Sequence, residues 1–302
     1  MKNKIIYSSI ASILAASLIA CSGSTSDEDA TLSIGISDGP VDSATEVVVI
    51  FNGIEIKPEQ GPAFTITLEQ PRSIDLLALQ NGSSTQLLDQ EPLESGNYNW
   101  IRLLVDADQG ELDSFITMND GTSHSLYVPS GSETGLKINR RFTVAAGNAT
   151  NFMIDFDLRK SIVEPGNQAI DYKLKPTLRI VDLTEVGSIS GFIDGALVSD
   201  SSCNEGLAVY AYSGTNIIVD DEGSQSPPLT SAIPQYDAAN DRYDYQLSFL
   251  SVGDYTVAVT CDAEFDLPEN DEAETAWSAI SSAETTVNLN DTTILNFESI
   301  IL

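Results

Sequence analysis

The chain has 302 residues, and its charges are strongly unbalanced: 14 Lys and Arg stand against 45 Asp and Glu, a formal net charge of −31 at pH 7. Such a protein repels nucleic acid and anionic lipid headgroups, so we exclude both as partners and expect cations, neutral glycans or other proteins. Apolar residues make up 42% of the sequence, which excludes a disordered chain, and the length favours two domains over one.

The first predicted element is an export signal over residues 1–20. Lys2 and Lys4 form a basic start, and residues 5–20 are uncharged over about the length of a secretion signal, short for a membrane span. The tetrapeptide Leu18-Ile19-Ala20-Cys21 resembles the lipobox of bacterial lipoproteins, which implies a diacylglycerol on the thiol and a fatty acid such as palmitate on the new N-terminus. We therefore expect lipid attachment at Cys21, with a cleaved secretion signal that ends in cysteine as the alternative.

The residues after the cysteine predict a tether and a location. Ser22, rather than aspartate, follows Cys21, and by analogy with enterobacterial sorting this places the lipid-anchored protein at the outer membrane of the bacterial envelope. Residues 21–30 are otherwise small, polar and acidic and have nothing to bury, so we expect an acidic flexible tether between the lipid and the fold.

Alternation of apolar and polar residues dominates the chain from Thr31 onward and predicts half-buried β-strands. The apolar positions on one strand face are Leu32, Ile34 and Ile36 in the first segment, Phe152, Ile154, Phe156 and Leu158 in a second, and Tyr243, Tyr245, Leu247 and Phe249 in a third. Turn signals such as Asn81-Gly82 and Asn290-Asp291 recur between the strands, and we find no amphipathic helix after the leader. The expected fold is all-β, with two antiparallel β-sandwiches of immunoglobulin-like or transthyretin-like form.

Charge divides the chain into predicted domains at 31–184 and 185–302. The first segment has 11 basic and 21 acidic residues, whereas the second has Arg242 alone against 21 acids. A hexapeptide pattern also repeats, since Leu93 to Tyr98 and Leu250 to Tyr255 both have the form L-x-x-G-[N/D]-Y ahead of an alternating strand. One hexapeptide does not by itself establish a duplication.

Two cysteines remain once Cys21 carries lipid, and an even pair in an oxidising compartment predicts a disulfide between Cys203 and Cys261. Such a crosslink would stabilise the fold by about 4 kcal/mol on the chain-entropy estimate. Cys261 is in phase with Tyr255, Val257 and Val259, so we expect it to face the core. Two unpaired buried thiols are the alternative.

The densest acidic segment runs from Asp262 to Glu274, with seven acids in thirteen residues. Calcium binds oxygen-rich loops, and the candidate ligands here are Asp262, Asp266 and Asp271. The segment lacks the D-x-[DN]-x-[DN]-G order, however, and Pro268 interrupts it. We therefore expect a solvated acidic loop and no cofactor, with Ca²⁺ as the alternative.

Residues with catalytic chemistry are scarce. His124 is the only histidine and lies among small polar residues, where we expect a solvated loop side chain. A serine-histidine triad could use only this residue, a zinc site needs several histidines and cysteines, and no G-x-S-x-G elbow or phosphate-binding loop is present. We predict no enzymatic activity and no catalytic residues.

Several motifs in order resemble a known bacterial domain over residues 31–182. They are Leu32 to Asp42, Ser73 to Gly82, Gly96 to Ala107, Phe142 to Gly147, Asp155 to Ile162 and Leu174 to Arg179. This set resembles the bacterial lipoprotein domain of unknown function numbered 4382. The resemblance implies an all-β domain on lipid-anchored surface proteins and brings no catalytic residues.

The second segment is similar to a carboxypeptidase regulatory-like, transthyretin-type sandwich. The similarity lies in Gly187 to Gly191, Val209 to Tyr212 and Leu250 to Val259. Modules of this type are usually accessory, and some bind carbohydrate, but Ser251 replaces the usual proline after the leucine.

The expected function is therefore that of a lipid-anchored envelope protein, acting as a non-enzymatic binding module or structural spacer. Partners are the membrane, through the lipid, and an envelope protein or a neutral glycan. A carbohydrate-binding or calcium-dependent adhesion lipoprotein is one alternative, and a hydrolase accessory or degenerate enzyme is another. An open aromatic platform at Trp100 or Trp277 favours glycan binding, whereas two carboxylates in a cleft favour hydrolysis.

Overall fold

A computed structural model describes residues 30–39, 44–129, 135–164, 171–175, 177–199, 203, 206–266 and 277–299. The leader, Cys21, residues 22–29 of the tether and Asp271 lie outside these residues, so the expectations for them stay predictions. Ala30, the last residue of the predicted tether, is instead a buried residue of the first strand. Within the described ranges, no helix is long and apolar enough to cross a membrane.

Among the described residues, the first half of the chain forms thirteen strands, because apolar and polar residues alternate along it. They are β1 (Ala30–Gly39), β2 (Ala44–Pro58), β3 (Phe64–Asp75), β4 (Thr85–Leu93), β5 (Gly96–Asp106), β6 (Phe115–Met118), β7 (Ser123–Tyr127), β8 (Leu136–Ile138), β9 (Phe142–Val144), β10 (Ala149–Asp157), β11 (Ile162–Val163), β12 (Tyr172–Leu174) and β13 (Leu178–Asp182). The short helix α1 (Leu158–Ser161) follows β10, and 3₁₀ turns cover Leu76–Leu79 and Leu183–Glu185.

These strands make two facing sheets. One has the order β13-β10-β1-β4, and the other has the order β11-β12-β7-β6-β2-β5-β8, with β3 also paired to β2 and β9 to β5. Apolar side chains from both sheets share one core, in which the rings of Phe51 and Phe156 meet edge to face at 6.2 Å. This half is therefore a β-sandwich.

The described residues of the second half form eight strands and a second core. They are β14 (Val186–Asp194), β15 (Ala208–Ser213), β16 (Thr230–Ala232), β17 (Gln235–Asp237), β18 (Arg242–Ser251), β19 (Gly253–Thr260), β20 (Ala279–Val287) and β21 (Thr292–Ile294), with 3₁₀ turns at Gly195–Val198 and Ala263–Phe265. The sheets have the orders β17-β18-β14-β21 and β16-β15-β19-β20, and their inner faces share a core separate from the first. The all-β sandwich prediction is confirmed.

The sequence led us to expect antiparallel sheets throughout. Strand pairing is mostly antiparallel, but three pairs of the described strands are parallel. β1 pairs with β10, β7 with β12 and β14 with β21 in parallel. A parallel neighbour requires a long connection, and each of these pairs is separated by other strands in the chain. Alternation within one strand carries no information about such a partner.

The predicted half-burial of β10 is wrong for its polar face. Phe152, Ile154 and Phe156 enter the core as expected, but Asp155 on the opposite face is only 8% exposed. It accepts hydrogen bonds from Ser37 Oγ at 2.8 Å and Arg179 Nη2 at 2.7 Å. The outer face of this sheet is covered rather than solvated.

The alternation also ends early in β18. Phe249 has φ of 54°, a conformation that bulky residues rarely adopt, and the β14–β18 register shifts at this point. Leu250, not Phe249, is consequently the fully buried core residue. Such an irregularity changes the direction of the backbone. At this point the carbonyl of Phe249 accepts a hydrogen bond from Arg179 Nη1 at 2.9 Å.

Candidate functional site

A buried charged junction, formed by Asp157, Arg159, Lys160, Tyr210, Glu222 and Asp266, joins the two halves. Arg159 and Lys160 lie on α1, directly after β10, and the Asp157 side chain caps that turn by accepting from Lys160 N at 3.3 Å. The cap aims two adjacent cations from the first half at the more acidic second half.

The first arm of the charged junction is a chain of hydrogen bonds through Tyr210. Arg159 Nη1 donates to Tyr210 Oη at 3.1 Å, and Tyr210 Oη donates to Asp266 Oδ2 at 2.5 Å. The other carboxylate oxygen of Asp266 accepts from Glu222 N at 3.0 Å. Arg159 is 7% exposed, Tyr210 0% and Asp266 6%, so this chain is shielded from water.

The second arm is centred on the Lys160 ammonium group. Lys160 Nζ lies 3.0 Å from Asp157 Oδ2 and 4.0 Å from Glu222 Oε1, and it donates to the carbonyl of Pro228 at 3.2 Å. The other carboxylate oxygen of Glu222 is buried and has no hydrogen-bond partner in the described part of the chain. One cation therefore bridges carboxylates from both halves.

Burial dominates the electrostatics of the charged junction. Burial, together with repulsion from Asp157, raises the pKa of Glu222 to about 8. Burial also raises the pKa of Asp266, and it raises that of the Tyr210 phenol well above its usual range. For Lys160, burial alone would lower the pKa, but the attraction of Asp157 and Glu222 outweighs it and the pKa is raised.

The strand that carries Tyr210 is buried on both faces. Val209 and Ala211 of β15 enter the core of the second sandwich, whereas Ala208, Tyr210 and Tyr212 form a small outer cluster with Ala258 and Ala263. The ring of Trp277 stacks on Tyr210 with 5.9 Å between centroids. The unbroken apolar run Ala208 to Tyr212 is the sequence signal for burial on both faces.

Sequence reasoning missed the charged junction apart from Asp266. Arg159 and Lys160 lie within the Asp155 to Ile162 motif, and nothing local distinguishes them from solvated cations. The feature that could have identified Arg159 and Lys160 is their position in the sequence. They are two adjacent cations directly after an apolar strand, in a chain that has few cations.

The two cysteines are brought together as predicted. Cys203 and Cys261 form a disulfide with 4.5 Å between their Cα atoms, a distance normal for this bond. Both belong to the core of the second half, and Cys261, directly after β19, is 7% exposed, as its phase with Tyr255, Val257 and Val259 predicted.

The predicted acidic ligands have different partners. Asp262 Oδ2 accepts from Ser278 N at 3.0 Å and Ser278 Oγ at 2.9 Å, whereas both oxygens of Asp266 are engaged in the charged junction. Asp271 lies outside the described residues. Among the described residues, no group of three or more histidine, cysteine or acidic side chains is arranged to hold a metal ion.

His124 is not in a loop, contrary to expectation. It lies in β7, its Nε2 is 3.2 Å from Thr122 Oγ1, and its ring packs against Tyr172 at 5.5 Å. Neighbouring strands β6 and β12 extend the sheet on both sides of β7, so Ser123 and Ser125, which flank His124, are sheet residues.

Both tryptophans are covered on a ring face. Trp277 stacks on Tyr210, and Trp100 lies under Lys137 Nζ at 4.4 Å and the Arg102 guanidinium at 5.0 Å. Cation–π contacts of this kind occupy the face that a sugar ring would use. The arrangement disfavours the aromatic platform expected of a glycan-binding module.

Two carboxylates line a surface cleft of about 660 Å³ near the ends of β2 and β4. They belong to Glu59 and Glu94, and both residues are exposed. A general acid in glycoside hydrolysis typically lies in sheltered, apolar surroundings. Neither Glu59 nor Glu94 is buried, so this cleft does not favour a hydrolase.

The profile of a family described as Domain of unknown function (DUF4382) matches residues 29–176. No curated protein shows significant sequence similarity to the chain. The two findings together leave the function to be inferred from this chain's own residues.

Three solved structures illustrate the remaining similarity. A leucine-rich repeat protein from Bacteroides thetaiotaomicron is 12% identical with a TM-score of 0.23, over 89% of this chain and 26% of that one. The minor pilin GBS52 of Streptococcus agalactiae is 11% identical with a TM-score of 0.18, over 88% and 94%. The fimbrial anchor protein Mfa2 of Porphyromonas gingivalis is 10% identical with a TM-score of 0.17, over 78% and 80%. This chain spans about a quarter of the first structure's length, and likeness at these values transfers no function.

Proposed function

We propose that this protein, in which residues 29–176 belong to the family described as Domain of unknown function (DUF4382), is a non-enzymatic binding or structural spacer protein of the bacterial cell envelope. It is held at the outer membrane by lipid on Cys21. Its two sandwiches act together as one extracytoplasmic unit.

The observation that carries this proposal is the burial of the charged junction. Arg159, Tyr210 and Asp266 are each less than a tenth exposed and bond to one another across the two halves. A catalytic group must reach a substrate, whereas these groups are buried and already engaged in hydrogen bonds within the protein. Such an arrangement fixes the two sandwiches relative to one another, as a spacer or a two-part binding surface requires.

The cysteines and the charge support an extracytoplasmic location. A disulfide between Cys203 and Cys261 persists in oxidising compartments, and the basic leader that ends at Cys21 is of the export type. Calcium is not part of the proposal, because Asp262 and Asp266 already accept hydrogen bonds from protein donors.

The proposal predicts a lipid at the mature N-terminus. Mass spectrometry of the protein from its native envelope is expected to show an acylated Cys21, and Cys21→Ser is expected to leave the leader uncleaved and the protein at the inner membrane. Ser22→Ala is the matched control, since it changes the neighbouring residue and retains the thiol. Normal cleavage and release of Cys21→Ser would contradict the lipid anchor.

A further inference from the structure

A cleft between the two sandwiches combines basic and apolar side chains. Its volume is about 740 Å³, within the range of ligand-binding sites. The walls come from β8 and the residues after it, from β13, and from the segment that precedes β16. The cations that line it are Lys137, Arg140, Lys160 and Arg179. We call this feature the basic cleft.

The charge of the basic cleft is opposite to that of the molecule. Only 12 Lys and Arg follow residue 20, and four of them line this one cleft, with Asp157 as the single carboxylate among its lining residues. Lys160 and Arg179 are paired with Asp157 and Asp155 at 3.0 and 2.7 Å. In the described part of the chain, Lys137 and Arg140 form no ion pair, so the cleft presents net positive charge to an anionic ligand.

The apolar side chains that line the basic cleft indicate which chemical groups accompany the negative charges of its ligand. Ile138, Leu178, Ile180, Ile217 and Leu229 contribute to the walls. Tyr212 also lines the cleft, but its ring is buried and its hydroxyl donates to the carbonyl of Asp220. Apolar walls without an open aromatic face favour aliphatic side chains between the acidic groups over sugar rings.

The walls are already held in place. Arg140 Nη1 donates to the carbonyl of Ile180, which ties the residues after β8 to β13, and Lys160 Nζ ties α1 to Pro228. The cleft therefore needs little ordering when a ligand enters, which lowers the cost of binding.

We infer that the basic cleft binds a short segment of a partner protein in which acidic and aliphatic residues alternate. The segment's carboxylates meet Lys137 and Arg140, and its aliphatic side chains meet the apolar walls. This inference rests on the proposed binding function and specifies its site and its partner chemistry.

The test uses a fluorescent peptide of alternating glutamate and leucine and the full-length chain with Cys21→Ser, which cannot be lipidated, in a mild non-ionic detergent. Fluorescence anisotropy is expected to show saturable binding that weakens as NaCl rises from about 20 to about 200 mM, since salt screens exposed charges. Lys137→Gln with Arg140→Gln is expected to weaken binding about tenfold. Lys57→Gln with Arg72→Gln removes the same charge elsewhere and is expected to leave the affinity unchanged.

Four results would overturn the inference. One is equal binding of a lysine–leucine peptide, and another is equal loss of affinity in the two double variants. The third is binding of an oligogalacturonate instead of the peptide, which would indicate a glycan. The fourth is salt-sensitive self-association that Lys137→Gln with Arg140→Gln abolishes, which would make a second copy the occupant. Acylation of Cys21 is measured independently, so failure here leaves the envelope proposal standing.

Discussion

Glu222 is a buried acid whose surroundings differ strongly from water. Its carboxyl group is buried, faces Asp157 and Asp266 as well as the cations of Arg159 and Lys160, and its pKa is raised to about 8. Lys160 lies at 4.0 Å, too far for a hydrogen bond, so attraction only partly offsets the cost of burying the charge. The charged junction therefore holds its carboxylates at some expense in stability.

The raised pKa predicts how stability depends on pH. A group whose pKa is higher in the folded than in the unfolded state binds its proton more tightly when folded, so its stabilising contribution is lost as pH rises through the folded value. We expect the Tm of the wild-type protein to fall as pH rises from about 5 to about 8, between the unfolded and folded pKa values of Glu222, and to fall less in Glu222→Gln. Calorimetry at matched ionic strength measures both.

Glu59→Gln is the control. Glu59 is exposed, so this substitution is expected to leave the wild-type pH dependence intact. An unchanged slope in Glu222→Gln would show that Glu222 does not titrate in this range.

At the scale of elements, the two copies of the repeated hexapeptide share a glycine conformation and a tyrosine hydrogen bond. Gly96 and Gly253 have φ of 155° and 153°, a region that favours glycine. Two residues later, Tyr98 Oη donates to the carbonyl of Glu94 at 2.6 Å, and Tyr255 Oη donates to that of Ser251 at 2.8 Å. Each buried tyrosine thus ties the start of its strand to the turn before it, as tyrosine corners do in immunoglobulin-like sandwiches.

Loss of either hydroxyl is expected to destabilise the fold by the net free energy that one hydrogen bond contributes. Tyr98→Phe and Tyr255→Phe should each lower the free energy of unfolding by about 1 kcal/mol, because the carbonyl of Glu94 or Ser251 loses its donor while ring packing is kept. Urea titration monitored by circular dichroism measures the change.

Tyr236→Phe is the matched control, since the Tyr236 hydroxyl also donates a hydrogen bond but lies on an exposed residue. It is expected to change the free energy of unfolding by less than about 0.5 kcal/mol. Equal losses in all three variants would mean that the corner hydrogen bonds contribute nothing specific.

At the scale of the whole molecule, charged side chains connect the sandwiches at two places among the described residues. The charged junction is one, and the other runs from Arg179, held by Asp155, to the carbonyl that the irregularity at Phe249 turns outward. Both use cations of the first half and acceptors of the second. The division into domains at 31–184 and 185–302 stays a proposal, and these contacts predict that the two parts unfold together.

Breaking the charged junction should separate the two unfolding transitions. We expect one calorimetric transition for the wild-type chain and two for Arg159→Met, because the buried Asp266 and Glu222 then lose a cation from the first half. Arg102→Met is the control, since Arg102 pairs with Glu55 at 2.6 Å within the first half. It should lower the Tm and keep a single transition. A single transition in Arg159→Met would assign the coupling to the Arg179 contact.

The sequence by itself determined the all-β architecture and the cysteine pairing. Alternation is a local property that reports which side chains of a strand share a face, and an even cysteine number in an exported chain leaves one pairing once Cys21 is set aside. It also singled out Asp266, although as a candidate calcium ligand and not as an acceptor for Tyr210.

Only the tertiary structure decided which faces are covered. Asp155 is buried, Leu250 replaces Phe249 in the core, and Arg159 meets Tyr210 because surfaces far apart in the chain pack together. The pattern of a single strand is the same whether its polar face meets water or a second sandwich. The parallel neighbours, the charged junction and the basic cleft therefore follow from the packing of the two halves, which no local pattern encodes.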